Sequence, residues 1–342
     1  MSRKLLALSL TTTLMGGTAF ADAPRVAVDI APVHSLVTRV MEGVGTPDLI
    51  IQAGASPHEY SLRPSEAAAL QDANLVFWIG SGLTPWLTDT IETLAPNANV
   101  TELLEADGTI ELEFREGALF EAHDDHEEDE HRDDDDHADE AHDDHEEEGH
   151  DDEKADHDDH DDEEAGHDEH EHGNHDPHAW LSPQNAMTWM NVIAGQLSAA
   201  DPDNAGAYFA NAAVGRAEIK VLIGEVTAML EPVRDGRFIV FHDAYQYFET
   251  DFNFPASGAI SISDASDPSP ARIAEIQDRI AEQGIDCVLA EPQFNLGLVA
   301  TVLEESHAQT GILDPLGSNL KPGSALYPQL IRNLSTALAG CM

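Results

Sequence analysis

A long acidic and histidine-rich segment divides the chain and limits where a hydrophobic core can form. Residues 121–176 contain 32 aspartates and glutamates, 13 histidines and only two basic residues. A block of like charge with few large apolar side chains cannot bury enough surface to offset the entropy lost on ordering it. We therefore predict that residues 121–175 are disordered without metal and that the core is built from the two flanking parts of the chain.

The histidines of this segment are spaced in a way that favours metal binding. The tetrapeptide His-Asp-Asp-His occurs three times, and further histidines are separated by two residues. Imidazole nitrogen combined with carboxylate oxygen suits zinc, copper or nickel better than magnesium or calcium. We expect several weak, interchangeable sites, and a solvated acidic linker with incidental histidines is the alternative. The auxiliary metal candidates are His123, His126, His142, His145, His157, His160, His167, His170, His172 and His175.

The first 21 residues have the pattern of a secretory signal peptide. Arg3 and Lys4 precede an apolar stretch over residues 5–15, and Ala-Phe-Ala at 19–21 fits a cleavage site. No later run is long enough and apolar enough to span a bilayer. We expect export to an oxidising compartment without membrane insertion, and a bacterial periplasm is the simplest case.

The two cysteines, Cys287 and Cys341, are predicted to form a disulfide, because an exported chain folds where thiols are oxidised. Closing the loop between residues 287 and 341 contributes on the order of 4 kcal/mol to the free energy of unfolding. Two free thiols that join a metal site are the alternative, although the cysteines are not spaced as a chelating pair.

Outside the acidic segment the chain remains negatively charged. A negative surface argues against nucleic acid or an anionic membrane as a partner, since both require basic surfaces. About 265 residues remain once the leader and the acidic segment are set aside, which is enough for two domains.

Short apolar runs alternate with helical patterns on both sides of the acidic segment. This alternation implies parallel sheets with helices on their faces. We predict an α/β fold of two Rossmann-like lobes, joined by a long helix at 204–230. The predicted strands are 25–30, 48–52, 74–79, 100–104, 237–241, 259–262 and 286–290, and a further helix is predicted at 269–283. The predicted domains are a signal peptide at 1–21, an N-terminal lobe at 22–183 with the insert 121–175, a helical region at 184–235 and a C-terminal lobe at 236–342.

Polar side chains that could bind a metal follow the predicted strands. His58 lies in the loop after one strand, His242 directly follows another, and His178 lies where the chain re-enters the first lobe. Asp314 could supply an oxygen from the second lobe. Ligands of open parallel sheets bind beyond the carboxyl ends of the strands, where facing lobes could share these groups. A lone histidine in a loop is more often a surface or hydrogen-bonding residue, so spacing alone does not select them.

Four motifs occur in order along the chain: SPHEYSLRPS at 56–65, DPHAWLSP at 176–183, FHDAY at 241–245 and CVLAEPQF at 287–294. From about residue 25 to residue 341 the chain resembles the periplasmic zinc-binding proteins of ABC importers, the ZnuA type. An acidic His-rich insertion before the second motif is also typical of that family. The resemblance implies two lobes bridged by a rigid helix, zinc in the cleft, and a disulfide between the two cysteines, as in some relatives.

By position, the resemblance makes His58, His178 and His242 the zinc ligands, and Asp314 lies where metal-binding relatives have a carboxylate. Relatives with histidine at the third position resemble zinc binders, whereas manganese or iron binders have glutamate there. A third imidazole also favours zinc over a harder ion on chemical grounds. Some relatives have an acidic residue just before the first histidine, where this chain has Pro57. Asp314 or a water then completes a tetrahedral site.

Other polar residues near the motifs are assigned supporting positions. Asp176 and Asp243 flank candidate ligands and could orient an imidazole through its other nitrogen. His34 is expected near a helix start, and His307 is expected on a helix. Neither is predicted to bind metal.

The resemblance implies that the chain captures Zn²⁺ in the periplasm as a monomer and delivers it to the membrane permease of an ABC transporter. The acidic segment would be an auxiliary zinc collector. A hydrolase with three histidines and an open zinc position is one alternative. The sequence has no His-Glu-x-x-His helix, nucleophile motif or phosphate-binding glycine loop, which argues against it. A zinc buffer without a transporter is the other alternative.

Overall fold

The computed structural model describes residues 23–115, 120, 175–261, 268–294, 296–303 and 306–342. The predicted signal peptide and nine of the ten auxiliary histidines lie outside the described residues. His175 lies within them.

The first lobe is built on a four-stranded parallel sheet with the strand order β2-β1-β3-β4. All of the residues of β1 and β3 are buried, as expected of central strands covered on both faces. The strands are β1 (Val26–Val28), β2 (Asp48–Leu49), β3 (Leu75–Trp78) and β4 (Asn99–Glu102). The helices between them are α1 (Ala31–Val40), α2 (Pro64–Asp72) and α3 (Pro85–Leu94).

Two helices lie between the sheets in the sequence, α4 (Pro183–Ala200) and α5 (Ala205–Leu230). The Ser182 side chain caps α4 by accepting a hydrogen bond from the backbone N–H of Asn185. A short 3₁₀ turn at Pro202–Asn204 separates the two helices, at the Asp-Pro-Asp sequence of residues 201–203. The 26 residues of α5 extend for about 39 Å. Its buried residues recur every three or four positions and so lie on one side of the helix: Tyr208, Ala212, Gly215, Ile219, Leu222, Val226 and Leu230.

The second lobe is built on another four-stranded parallel sheet, in the order β6-β5-β7-β8, which repeats the order of the first. Its strands are β5 (Phe238–His242), β6 (Gly258–Ser261), β7 (Cys287–Ala290) and β8 (Gln309–Ile312). Its helices are α6 (Gln246–Phe252), α7 (Pro270–Gln283), α8 (Leu296–Val302) and α9 (Leu326–Cys341). The long α5 packs against α1 and α4 and also against α9. The predicted two-lobe α/β fold is confirmed.

One sequence prediction in the second lobe is wrong. His307 was expected on a helix, but it lies in an exposed irregular segment just before β8. β8 itself is at the edge of the sheet, and three of its four residues are exposed. An edge strand of this kind has no continuous apolar run, so its sequence carries little of the signal that marks a buried strand.

A disulfide joins Cys287 of β7 to Cys341 at the end of α9, with the two Cα atoms 5.8 Å apart. The predicted pairing is therefore confirmed, and both thiols are withdrawn from metal binding. In the part of the chain that the structure describes, no helix is long and apolar enough to cross a bilayer.

Replacing both cysteines with alanine should lower the free energy of unfolding by about 4 kcal/mol, because the cross-link no longer restricts the unfolded chain. Urea unfolding of the oxidised double variant and of the wild type measures this difference. The reduced wild type is the matched control and should unfold at nearly the same urea concentration as the variant. Equal stability of the variant and the oxidised wild type would contradict the assigned role.

Candidate metal centre

His242 is held by a buried carboxylate at the point where the strand order of the second sheet reverses. It is the last residue of β5, and its Nδ1 lies 2.5 Å from Oε1 of Glu291, which directly follows the neighbouring strand β7. Burial raises the pKa of Glu291, and the contact with His242 opposes this rise. Ligands of open α/β sheets bind at such a reversal point. Glu291 thus fixes the ring through Nδ1, so Nε2 is the nitrogen that a metal would bind.

His178 is oriented in the same way by Asp176. The Nδ1 atom of His178 lies 2.6 Å from Oδ1 of Asp176, which also accepts the backbone N–H of His178 at 2.9 Å. Burial raises the pKa of Asp176 to about 7. The next turn carries Trp180, whose ring lies 5.3 Å from that of His178 and whose Nε1 donates to the carbonyl of Pro315 in the second lobe. His178 is therefore fixed by its own segment and by a contact across the cleft.

The ring of His178 lies next to the rings of both other predicted ligands. Nε2 of His178 lies 3.4 Å from Nε2 of His242, and the two ring centroids are 5.2 Å apart. The ring of His58 lies 5.7 Å from that of His178. Two imidazole nitrogens that bind one tetrahedral zinc at about 2.05 Å lie about 3.3 Å apart. The spacing of the two Nε2 atoms therefore fits a shared zinc ion.

The loop that carries His58 is held by side chains of the two helices that follow it. Trp86 of α3 donates its Nε1–H to the carbonyl of Pro57 at 2.8 Å. Tyr60 donates its hydroxyl to Glu66, whose other oxygen accepts the backbone N–H of Arg63 at the start of α2. The side chains of Trp86, Tyr60 and Glu66 thus hold the loop that places His58.

Asp314 is bonded to its own loop. Its Oδ1 accepts the backbone N–H groups of Leu316 and Gly317, and its Oδ2 accepts the backbone N–H and the hydroxyl of Ser318, at distances between 2.7 and 3.2 Å. An ionised carboxylate has about four acceptor positions, and these bonds use that number. Asp314 would have to give up one of them to bind a metal.

Of the two aspartates predicted to orient a ligand, Asp176 contacts a histidine ring and Asp243 instead pairs with Arg115. The carboxylate that contacts the ring of His242 belongs to Glu291, which was not among the predicted site residues. It lies in the CVLAEPQF motif immediately after a predicted strand, so its position at a strand end was a signal that could have found it.

The first sheet has a comparable buried carboxylate at its own reversal point. Asp29 follows β1 and accepts the backbone N–H groups of Ile30 and Ile79, each at 2.7 Å, so that it joins the ends of β1 and β3. Burial raises the pKa of Asp29 to about 7. In the first lobe this carboxylate binds backbone groups, whereas in the second lobe Glu291 accepts the backbone N–H of His242 at 3.4 Å and also contacts its ring.

A second group of possible metal ligands lies on the surface. Glu105, Glu111 and His175 offer ligand atoms within 4.8 Å of one another. His175 Nδ1 is 3.2 Å from Glu111 Oε2, and both side chains are about one-third exposed. The backbone of His175 forms an antiparallel bridge with Glu113. This is the point at which the chain re-enters the described fold after the acidic segment.

Two parallel-sheet lobes with histidine rings gathered between them are the arrangement expected of a metal-binding solute-binding protein. The family model described as "Zinc-uptake complex component A periplasmic" matches residues 26–341. The chain belongs to this family, which confirms the resemblance seen in the motifs.

Relatives and solved structures agree with this assignment. The high-affinity zinc uptake system protein ZnuA of Brucella abortus (strain 2308) is 45% identical over 98% of this chain and 97% of its own length. The protein of the same name from Paracoccus denitrificans (strain Pd 1222) is 43% identical over 100% and 98%. A crystal structure of ZnuA has a TM-score of 0.68 and 22% identity, covering 94% of this chain and 99% of its own. At that identity the structural likeness supports the fold alone.

The Asp29→Asn variant should be less stable than the wild type at low pH, and the difference in their free energies of unfolding should become smaller as the pH rises. The folded-state pKa of Asp29 is raised above the unfolded value of 3.8, so the wild type has its full contribution below about pH 4 and loses it as the pH passes about 7. The variant has no such titration, although it leaves one buried N–H without an acceptor. Between pH 5 and pH 8 the gap should shrink by on the order of 2 kcal/mol in urea unfolding. A constant gap would show that burial does not perturb this carboxyl.

Proposed function

We propose that this chain captures Zn²⁺ with high affinity in the periplasm and delivers it to an ABC-type zinc permease. His58, His178 and His242 are the proposed ligands, in the cleft between the two lobes. The observation that carries the proposal is the 3.4 Å separation of the Nε2 atoms of His178 and His242, which come from different lobes. The family assignment and the zinc-uptake names of its relatives support the same function.

The donor set suits zinc. Neutral imidazole is a ligand that zinc prefers, and a site of three imidazoles disfavours the harder manganese or magnesium ions. Asp176 and Glu291 each hold the Nδ1 side of a ring, which fixes the metal-facing nitrogen and raises its basicity. Both carboxylates are buried, so solvent competes little for these contacts.

Asp314 as the fourth ligand stays a prediction. Its oxygens are used by the backbone N–H groups and the hydroxyl of its own loop, which favours the alternative in which a water completes the tetrahedron. In that case Asp314 shapes the cleft wall next to Pro315, whose carbonyl accepts the hydrogen bond from Trp180.

The acidic segment acts before the cleft in this proposal. Its histidines and carboxylates bind zinc weakly and raise the local zinc concentration, and ions then pass to the cleft. The segment ends at His175, three residues before His178. His175 stands beside Glu105 and Glu111, which together suit a transient metal contact.

The ligand set is tested by His242→Ala in a chain from which residues 123–172 are deleted. We expect the deletion alone to lower the number of bound zinc ions and to leave one tight site. His242→Ala in that background should weaken the tight site by more than about 100-fold, since loss of a mere orienting partner already costs 10 to 100-fold. Titration calorimetry with dialysed protein measures both effects.

His307→Ala is the matched control, because this exposed histidine lies in the same lobe away from the cleft and should leave binding unchanged. An unchanged affinity in His242→Ala would show that the ligand set is wrong. Loss of the tight site on deletion alone would make the acidic segment the main zinc-binding element.

Asp314→Asn in the same background separates the two choices for the fourth ligand. If water completes the site, the zinc affinity should change by less than about tenfold while the midpoint of thermal unfolding falls, because one bond of the loop is lost. Ser318→Ala removes the hydroxyl that donates to Asp314 and should lower the unfolding midpoint in the same way. A loss of affinity much larger than tenfold in Asp314→Asn alone would instead make Asp314 a ligand.

A further inference from the structure

We propose that Arg115 is a positioning residue for zinc capture, which holds the turn after His242 against a first-lobe segment that pairs with the chain just before His178. The inference rests on the proposed zinc function and extends it to a residue that does not touch the metal.

Arg115 joins the two lobes through one guanidinium. Its Nε lies 3.0 Å from both carboxylate oxygens of Asp243, and Nη2 also contacts Asp243. Its Nη1 and Nη2 donate to the two oxygens of Glu249 in α6, at 2.7 and 3.1 Å. The Arg115 side chain is 17% exposed, and those of Asp243 and Glu249 are 9% and 4% exposed. Charge-assisted, forked bonds of this kind are both strong and directional.

This arrangement acts directly on a proposed ligand. Asp243 is the residue after His242, and α6 begins three residues later. Arg115 supplies the positive charge between two buried carboxylates of the second lobe. Without it those carboxylates would repel each other where water cannot screen them, and breaking a buried pair in this way is strongly unfavourable. The turn after His242 would then lose the contact that holds it to the first lobe.

A second set of bonds ties α6 to the segment of His178. Tyr247 of α6 accepts the backbone N–H of Leu112 at 3.0 Å and donates to the carbonyl of Asp176 at 2.7 Å. Asp251 of α6 accepts the Ser182 hydroxyl at 2.8 Å. The helix α6 thus contacts the backbone of the residue that orients His178, while Arg115 holds α6 and the His242 turn together.

The consequence is that the two histidines are held at metal-binding distance by the protein itself. A site that is organised before the ion arrives loses less free energy on binding. It also releases the ion slowly, because the ligands cannot separate without breaking the Arg115 contacts. The effect should therefore be seen in the rate of zinc release more than in the fold.

The test compares Arg115→Met and Arg115→Lys with Arg39→Met in the full chain. Arg39 is a matched control: it also forms a bidentate pair, with Glu218 of α5, its side chain is 13% exposed, and it contacts none of the proposed ligands. Each protein is loaded with half an equivalent of Zn²⁺, and its slow release to a chelator is timed. Half an equivalent of Co²⁺ replaces zinc in a parallel sample, and its visible absorption reports the coordination geometry.

Arg115→Met should speed the slow release by at least about tenfold and change the Co²⁺ spectrum. Arg115→Lys should fall between it and the wild type, since lysine keeps the charge but cannot form the fork. Arg39→Met should lower the unfolding midpoint without either change. Should Arg115→Met not fold, Arg115→Lys against Arg39→Met decides the question by the same two measurements.

Wild-type release rates and spectra in both Arg115 variants would overturn the inference while leaving the zinc function intact. Failure of the proposed function looks different, because the wild type itself would then show no slow release and His242→Ala would change nothing.

Discussion

Each lobe depends on a buried carboxylate that joins the ends of two adjacent parallel strands. In the first sheet Asp29 accepts backbone N–H groups at the ends of β1 and β3. In the second sheet Glu291, after β7, holds the ring of His242 at the end of β5. The strand order is the same in both sheets, and both carboxylates lie at the point where it reverses, but Asp29 follows β1 and Glu291 follows β7, the counterpart of β3. Asp29 joins two strand ends through their backbone, and Glu291 orients the side chain of His242.

A buried carboxylate loses its contacts with water, and well-placed hydrogen-bond partners must replace them. A carboxylate removed from water is stabilised only when its acceptor positions are filled. Burial raises the pKa of Asp29, Asp176 and Glu291, and each makes close polar contacts that limit the rise. The Arg115 guanidinium serves Asp243 and Glu249 in the same manner. The cleft is therefore surrounded by acidic groups whose positions are set by specific partners rather than by solvent.

The sequence carries strong signals for the central strands and weaker ones for their surroundings. The strands β1, β3, β5 and β7 are buried on both faces, so each reads as a short apolar run, and all four were predicted. The edge strand β8 was missed, since three of its four residues are exposed and Gly311 interrupts its short run, although the exposed edge strand β4 was predicted. The long α5 was predicted to within one residue because it has no proline and follows the break at 201–203.

The same contrast holds at the site. The grouping of His58, His178 and His242 was predicted from the family that their motifs resemble, since their spacing alone did not select them. The pairing of Glu291 with His242 needs the knowledge that β5 and β7 are neighbours, which alternation of strands and helices does not supply. The bonds of Asp314 to its own loop depend on backbone geometry that its sequence neighbours do not specify. Arg115 lies 128 residues before Asp243, so no local pattern could connect them.

The exposed edge strand β8 bears on how copies of this chain behave towards one another. Its outer side has no strand partner in the described part of the chain, and Ile312 on it is 55% exposed. An open edge with an apolar side chain is a template for pairing between molecules. The formal charge of −50 opposes such pairing, since like-charged molecules repel at close approach. Electrostatic repulsion between copies of the chain therefore opposes their association through β8, and this repulsion weakens as the ionic strength rises.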